Sequence, residues 1–257
     1  MYRAPVVTKA FRILELIAAK DNLMTISDLS RESGINKSTV HGIAYALEKA
    51  GAVVRDKKTK RYRLGMTLFE LARAGYARID LKEIARPIME DLMRSTRQSV
   101  FLGIRSGDHV SIIDIVEATQ DLKITAPIGT RVPLLAGAIG KALLAHMEED
   151  QAASLIRALG LRRYTEKSIT DPDLYMMKVA EARVSGYGLD DEEYIQGVRA
   201  VAAVIQNSGP QVSAVWVVGF TPSMGDDRLP AIAMETRRAA EEISRRIDLR
   251  PHNGKGR

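Results

Sequence analysis

The chain has 257 residues, 46% of them apolar, which is ample for two ordinary domains with real cores and excludes wholesale disorder. It contains no cysteine, which excludes a disulfide framework, a thiolate metal site and a cysteine nucleophile. The net charge of +6 is unevenly placed: residues 1–64 carry 13 Lys/Arg against 6 Asp/Glu, a net of +7, and the remainder carries 25 against 26, a net of −1, so a polyanion partner is expected at the first quarter of the chain and nowhere else.

The start lacks the apolar core of a signal peptide, and the most apolar run, 212–220, is too short to cross a bilayer as a helix. A soluble cytoplasmic protein with no membrane partner is expected. Residues 8–19 place Phe11, Ile13, Leu14, Leu16 and Ile17 at helical spacing as one buried stripe, ended by Asp21-Asn22. Thr25 opens a second helix with a capping box completed by Asp28. Ile26, Leu29 and the small Ser30 face inward, and Gly34 ends this helix in the left-handed conformation its turn needs. Asn36 caps a third helix whose buried face is Val40, Ile43 and Leu47. Two short strands, 52–55 and 61–64, flank the polar turn 56–60. Three helices and a hairpin predict a winged helix-turn-helix over residues 1–65.

Residues 66–76 are helical again (Met66, Leu68, Phe69, Leu71, Ala72), and 66–80 is read as a linker helix. The next helix, 81–96, carries Ile84, Ile88, Leu92 and Met93, with Pro87 expected to kink it or mark a late start. Strands are expected at 100–104 and 110–116 around the turn 106–109, followed by helices at 137–145, 149–159 and 171–185. An antiparallel pair, 198–205 and 212–220, surrounds 206–210, and Pro230 opens a last helix to 247. This mixture predicts an α+β second domain over 81–250, with 251–257 a disordered tail.

In a helix-turn-helix the N-terminal part of the second helix meets DNA, which points to Lys37, Ser38, Thr39 and His41. The hairpin adds Arg55, Lys57, Lys58, Lys60, Arg61 and Arg63, placed to pair with backbone phosphates. The alternatives are a winged helix that binds protein instead of DNA, or an enzyme whose catalysis lies in the second domain. Catalytic and metal signals are thin: the four histidines (His41, His109, His146, His252) show no ligand spacing, and no nucleophile elbow is present. Gly137-Ala-Ile-Gly-Lys-Ala142 fails as a phosphate loop because no Ser or Thr follows the lysine and Leu135 stands where a glycine is required. The acidic run Asp190-Asp-Glu-Glu193 is read as a solvated loop in preference to a metal or acid–base site.

Taken together, the chain resembles an IclR-family transcriptional regulator over nearly its whole length. The resemblance lies in Ile35-Asn-Lys-Ser-Thr-Val-His41, in Tyr62-Arg-Leu-Gly65, and in Pro133 followed by Gly140-Lys-Ala-Leu-Leu-Ala145. It continues in the stretch from Gly186 through Asp190 and Glu193 to Ala200-Val-Ala and Ile205-Gln-Asn207. It implies an N-terminal winged helix, a linker helix and a C-terminal GAF-like effector-binding and oligomerisation domain. It also implies a dimer or dimer of dimers on double-stranded operator DNA, acting as repressor or activator, with no cofactor and no enzymatic activity. At Gly42 the chain departs from the family, which often has arginine there. The glycine removes a possible DNA contact and costs the helix up to about 1 kcal/mol relative to alanine. Gln206 also stands where an aromatic or histidine is expected.

The family's effector pocket maps onto Gly137, Ala138 and Ile139, together with Asp190, Ala200, Trp216 and Val218. Members that bind small keto-acids tend to carry polar Ser or Cys at the last three, so Ala, Trp and Val imply a larger or more apolar effector, such as an aromatic carboxylic acid. Its carboxylate would meet backbone N–H groups at Gly137. Trp216, the only tryptophan, either supplies a stacking wall or fills core space. Asp190 repels a carboxylate unless it is paired or faces a hydroxyl.

Overall fold

The computed structural model describes residues 4–19, 24–76, 81–206 and 212–249, with backbone alone at 72–76. The chain divides into two compact units, Met1–Ile79 and Asp80–Arg257. In the first, α1 (Pro5–Ala19), α2 (Ile26–Ser33) and α3 (Lys37–Lys49) precede a hairpin of β1 (Val53–Arg55) and β2 (Tyr62–Leu64), then α4 (Met66–Tyr76). The first three helices each contribute to a small core: Ile13 and Ile17 from α1, Leu29 from α2, Val40, Ile43 and Ala44 from α3, closed by Val53 and Tyr62 of the hairpin. Tyr62 N–H donates to Met24 C=O at 2.8 Å, which ties the hairpin to the chain entering α2.

The expected punctuation of these helices is present. Asp28 N–H donates to Thr25 Oγ1 at 3.3 Å, and Thr25 N–H returns to Asp28 Oδ2 at 3.1 Å. Gly34 lies at φ 70° with its N–H on Ser30 C=O, and Asn36 Oδ1 accepts Thr39 N–H at 2.9 Å. Two details differ from the sequence reading. The first helix begins earlier, at Pro5, a residue suited to a first turn. Phe11 is not part of its buried stripe but is 63% exposed; at 3.6 residues per turn it stands about 200° from Ile13 and 240° from Ile17.

The second unit is built on a six-stranded antiparallel sheet in the order β5-β4-β3-β8-β7-β6. Its strands are β3 (Ser99–Ser106), β4 (His109–Val116), β5 (Arg131–Pro133), β6 (Gly188–Asp191), β7 (Val198–Ile205) and β8 (Ser213–Phe220). On one side α5 (Leu81–Thr96) packs against β3 and β4, and α9 (Leu229–Leu249) against β7 and β8. On the other, α6 (Gly137–Leu144) lies on β6, β7 and β8, and α8 (Pro172–Ser185) and α7 (Glu149–Leu159) complete the layer. All eight residues of α6 are buried, and Phe101, Ile112, Ala200, Ala202, Ala214 and Trp216 form the sheet's contribution to that core. The architecture is thus an N-terminal helix-turn-helix unit followed by an α+β unit.

A β-bulge decides which residues face which layer. Leu102 pairs with Asp114 and Gly103 with Ile112, so Ile113 is an extra residue and the alternation of β4 flips. Val110 and Ile112 join the α6 core, whereas Asp114 turns toward α5, where Arg86 Nη1 donates to its Oδ1 at 3.1 Å. Helix α5 runs without interruption from Leu81 through Pro87, so the proline marks no late start. The short edge strands β5 and β6 were not anticipated; each has few residues and little alternation to betray it. The Asp21-Asn22 stop, the 207–210 turn and the 251–257 tail lie outside the described residues. Among the described residues, no helix is long and apolar enough to cross a membrane.

Candidate nucleic-acid interface and effector pocket

In the first unit the N-termini of α2 and α3 open toward the hairpin and leave a cleft lined by Ser27, Lys37, Ser38, His41, Arg55 and Lys60. The side-chain charges here are all positive, and both helices end there with their amide-rich, partially positive ends. Arg55 spans the cleft wall, its guanidinium 5.7 Å from the Tyr62 ring centroid, and its buried Nε has no hydrogen-bond partner.

The hairpin tip is held by Asp56, whose Oδ1 accepts Lys58 N–H at 2.9 Å, Thr59 N–H at 2.6 Å and the Thr59 hydroxyl at 2.9 Å. These bonds hold the Asp56 carboxyl below the usual carboxylate range. They also let Lys60 adopt φ 60°, rare for a residue with a side chain. Lys57, Lys58, Lys60, Arg61 and Arg63 are exposed. The structure therefore brings Lys37, Ser38, His41, Arg55 and Lys60 together and leaves Lys57, Lys58 and Arg61 on the outer hairpin. Thr39 is half-buried and its N–H is already used by the Asn36 cap. Tyr45, not singled out from the sequence, lies four residues beyond His41 on the exposed ridge of α3 and is 57% exposed. Its helical spacing from His41 was the available signal.

In the second unit the start of α6 has no side-chain cap, and Gly137 there lies at φ 59°. A β-carbon on Gly137 would lie 2.9 Å from Asp190 Cγ, so only glycine lets the aspartate approach the helix start. Asp190 is paired across the sheet with Ala200, and Ala200 with Val218, which puts the three side by side on the α6 face. Trp216, one alternation along β8, pairs with Ala202 and Phe101. Its ring stacks on Phe101 at 5.6 Å between centroids and 11° between planes. A β-carbon on Gly103 would come within 2.8 Å of that ring, so the bulge glycine makes room for the tryptophan. Gly137 thus meets Asp190, which neighbours Ala200 and Val218 across the sheet, while Trp216 is packed into the core at 4% exposure.

The acidic run is not a solvated loop. Asp190 is buried on β6, and its Oδ1 accepts Glu193 N–H at 2.7 Å. Glu193 is ion-paired with Lys141, a buried lysine of α6 that also donates to Leu189 C=O at 2.5 Å. Lys167 bridges Asp191 and Glu192, and Thr165 and Ser168 donate their hydroxyls to the Glu192 and Glu193 carbonyls, each at 2.7 Å. The charges were legible in the sequence, but the lysines that pair with them, Lys167 and Lys141, lie between 24 and 52 residues away in the chain. Burial, reinforced by the Glu193 charge, pushes the Asp190 carboxyl up to about 6, against the lowering effects of the Glu193 N–H and the Lys141 ammonium. The buried pairing of Lys141 was not anticipated either; the signal was a lone charge in an otherwise apolar helix. Among the described residues no group of His, Asp and Glu is arranged to hold a metal.

Comparison with known proteins assigns each of the two units to a known domain. Residues 6–57 match the IclR helix-turn-helix domain, and residues 74–245 match the bacterial transcriptional regulator IclR C-terminal domain. The chain is 35% identical to the HTH-type transcriptional regulator BhcR of Paracoccus denitrificans, over 92% of this chain and 85% of that one. It is 31% identical to the HTH-type transcriptional regulator KipR of Bacillus subtilis, over 94% and 96% of the two chains. Among solved structures, an IclR transcriptional regulator from Alicyclobacillus acidocaldarius superposes with a TM-score of 0.78 at 26% identity, covering 95% of this chain and 99% of that one. An IclR homologue from Microbacterium hydrocarbonoxydans, complexed with 4-hydroxybenzoate, shares the fold with a TM-score of 0.78 at 23% identity over 95% and 99% of the chains.

Proposed function

The chain belongs to the IclR family of bacterial transcriptional regulators, and we propose that it is a cytoplasmic regulator whose grip on an operator is set by an aromatic or otherwise apolar carboxylic acid. The family is one of DNA-binding regulators and not of enzymes, so the enzymatic alternative is set aside. Residues Lys37, Ser38, Thr39 and His41 meet the DNA from α3, and Arg55, Lys57, Lys58, Lys60 and Arg61 from the hairpin. The cationic cleft lined by Lys37, Arg55 and Lys60 supports this assignment.

The effector site is assigned to Gly137, Ala138, Ile139, Asp190, Ala200, Trp216 and Val218. The observation that carries it is the uncapped start of α6 facing Asp190, with Ala200, Val218 and the Phe101–Trp216 stack alongside. An uncapped helix N-terminus attracts a carboxylate, and an apolar aromatic surround favours a ring over a short keto-acid. The 4-hydroxybenzoate bound by the Microbacterium homologue is a ligand of this type.

A homodimer or dimer of dimers places two winged helices on a pseudo-palindromic site. Exposed apolar side chains on α1 (Val6, Val7, Phe11) and on α4 (Met66, Phe69, Leu71) support association through the first unit. Effector shifts operator affinity only to the extent that it prefers one of two arrangements of the readers. The test is a footprint on the DNA upstream of the protein's own coding sequence, with and without benzoate, 4-hydroxybenzoate and pyruvate, paired with thermal-shift measurements. Stabilisation and footprint change by the aromatic acids are expected. Stabilisation by pyruvate alone would overturn the effector class, and an effector that binds yet leaves the footprint unchanged would overturn the coupling.

A further inference from the structure

Gly42 has no structural reason to be glycine. It sits in the middle of α3, and it is not among the residues with positive φ. It is exposed, and a β-carbon built on it meets no heavy atom within 4 Å. Alanine would fit the fold and strengthen the helix, because glycine carries the larger entropy loss on folding. The position is bare on the exposed side of the helix that bears Ser38, His41 and Tyr45.

The chemistry along this ridge is ordered. Cations stand at its two ends, Lys37 in the cleft and Lys49 in the last turn, whose ammonium is 5.7 Å from the Tyr45 ring centroid. Between them lie Ser38, His41, Gly42 and Tyr45. At 1.5 Å per residue the two lysines are separated by about 18 Å along the axis, more than the roughly 12 Å width of the major groove. The lysines are suited to phosphates, and the uncharged stretch between them, beginning in the N-terminal half of α3, is the part free to face base edges. Gly42 leaves the α3 backbone bare, with no heavy atom within 4 Å of where a β-carbon would stand, and the exposed Tyr45 follows three residues on along the same ridge, so a small apolar group can approach the backbone there and no cation at that position holds a phosphate.

We propose that Gly42 and Tyr45 form a specificity notch, in which the bare α3 backbone seats a thymine C5-methyl group against the Tyr45 ring in the major groove. The proposal rests on α3 being the groove-reading helix. Tyr45 is a base-contacting residue in this assignment, and Gly42 is required for its lack of a side chain.

The test uses the full-length protein and duplexes selected by it from a randomised pool. Gly42→Ala is expected to unfold at or above the wild-type temperature and yet bind the selected duplex about tenfold more weakly, a loss typical of one mismatched contact, with binding to scrambled duplex unchanged. Replacing thymine by uracil at one position in each half-site should weaken the wild type and leave Tyr45→Ala unaffected. Undiminished binding of the selected duplex by Gly42→Ala overturns the notch, as does equal loss on selected and scrambled DNA or indifference of the wild type to uracil. Lys37→Ala and His41→Ala separate the levels. If they weaken binding while Gly42→Ala does not, only the notch falls; if all three are silent, α3 is not the reading helix.

Discussion

Asp190 occupies the space that a side chain on Gly137 would need: a β-carbon on the glycine would lie 2.9 Å from the aspartate Cγ. Two elements far apart in sequence, the start of α6 and the edge strand β6, are thereby held in register by the absence of one carbon. Gly137→Ala is expected to destabilise the second unit by about 2 kcal/mol, from overpacking together with strain at positive φ. In an Asp190→Ala background the same change should cost less, because the overpacking partner is gone while the φ strain remains. A double-mutant cycle from denaturant unfolding measures the difference; strict additivity would show that the contact is unimportant.

Asp190 also makes the protein's stability depend on pH in an unusual direction. Its carboxyl is pushed up to about 6, so between the unfolded value of 3.8 and 6 the folded state binds more proton than the unfolded one. This contribution is fully present below pH 4 and is lost as pH rises through 6, by on the order of 3 kcal/mol. Exposed carboxylates such as Asp28, Asp56 and Glu242 are shifted down and act in the opposite sense. The comparison to make is therefore wild type against Asp190→Asn. The variant should gain stability relative to wild type as pH rises from 4 to 7; a constant difference would refute the shift.

If a carboxylate effector enters beside Asp190, its charge raises that pKa further, and binding takes up a proton. Benzoate should then bind more tightly at pH 6 than at pH 8. Isothermal titration in two buffers of different ionisation enthalpy would detect the uptake. Asp190→Asn should abolish it, and equal affinity at both pH values in the wild type would exclude proton uptake.

The single tryptophan gives a direct probe of the same site. Trp216 is buried, stacked on Phe101, and packed on the Gly103 bulge. Trp216→Ala should cost about 3–5 kcal/mol of stability through the cavity it leaves, whereas Trp216→Phe should be milder. In the wild type, an aromatic acid bound at the start of α6 is expected to quench or shift the intrinsic emission. Saturable stabilisation by benzoate with unchanged emission would place the ligand elsewhere.

Arg55 offers a separate test of the cationic cleft. Removing it should weaken binding to all duplexes about equally and lower the magnitude of the salt slope by about 1, as expected for loss of one phosphate contact. Arg55→Ala would be measured by fluorescence anisotropy over a salt series on selected and scrambled DNA. A change confined to the selected duplex would make Arg55 a base contact instead.

The sequence by itself determined the elements whose causes are local. The Thr25–Asp28 capping box, the left-handed Gly34, the Asn36 cap and the 3.6-residue stripes of α2 and α3 all act within one or two turns. The helix-turn-helix and its basic hairpin were therefore legible, as were most strands and helices of the second unit. The tertiary structure decided matters that depend on chain segments meeting from a distance. The run Asp190–Glu193 resembles a solvated loop until Lys141 and Lys167, distant in the chain, neutralise it, and Gly137 admits Asp190 to a helix start. Local chemistry specifies an element through its own backbone, whereas the environment of a buried charge is specified only by what packs against it.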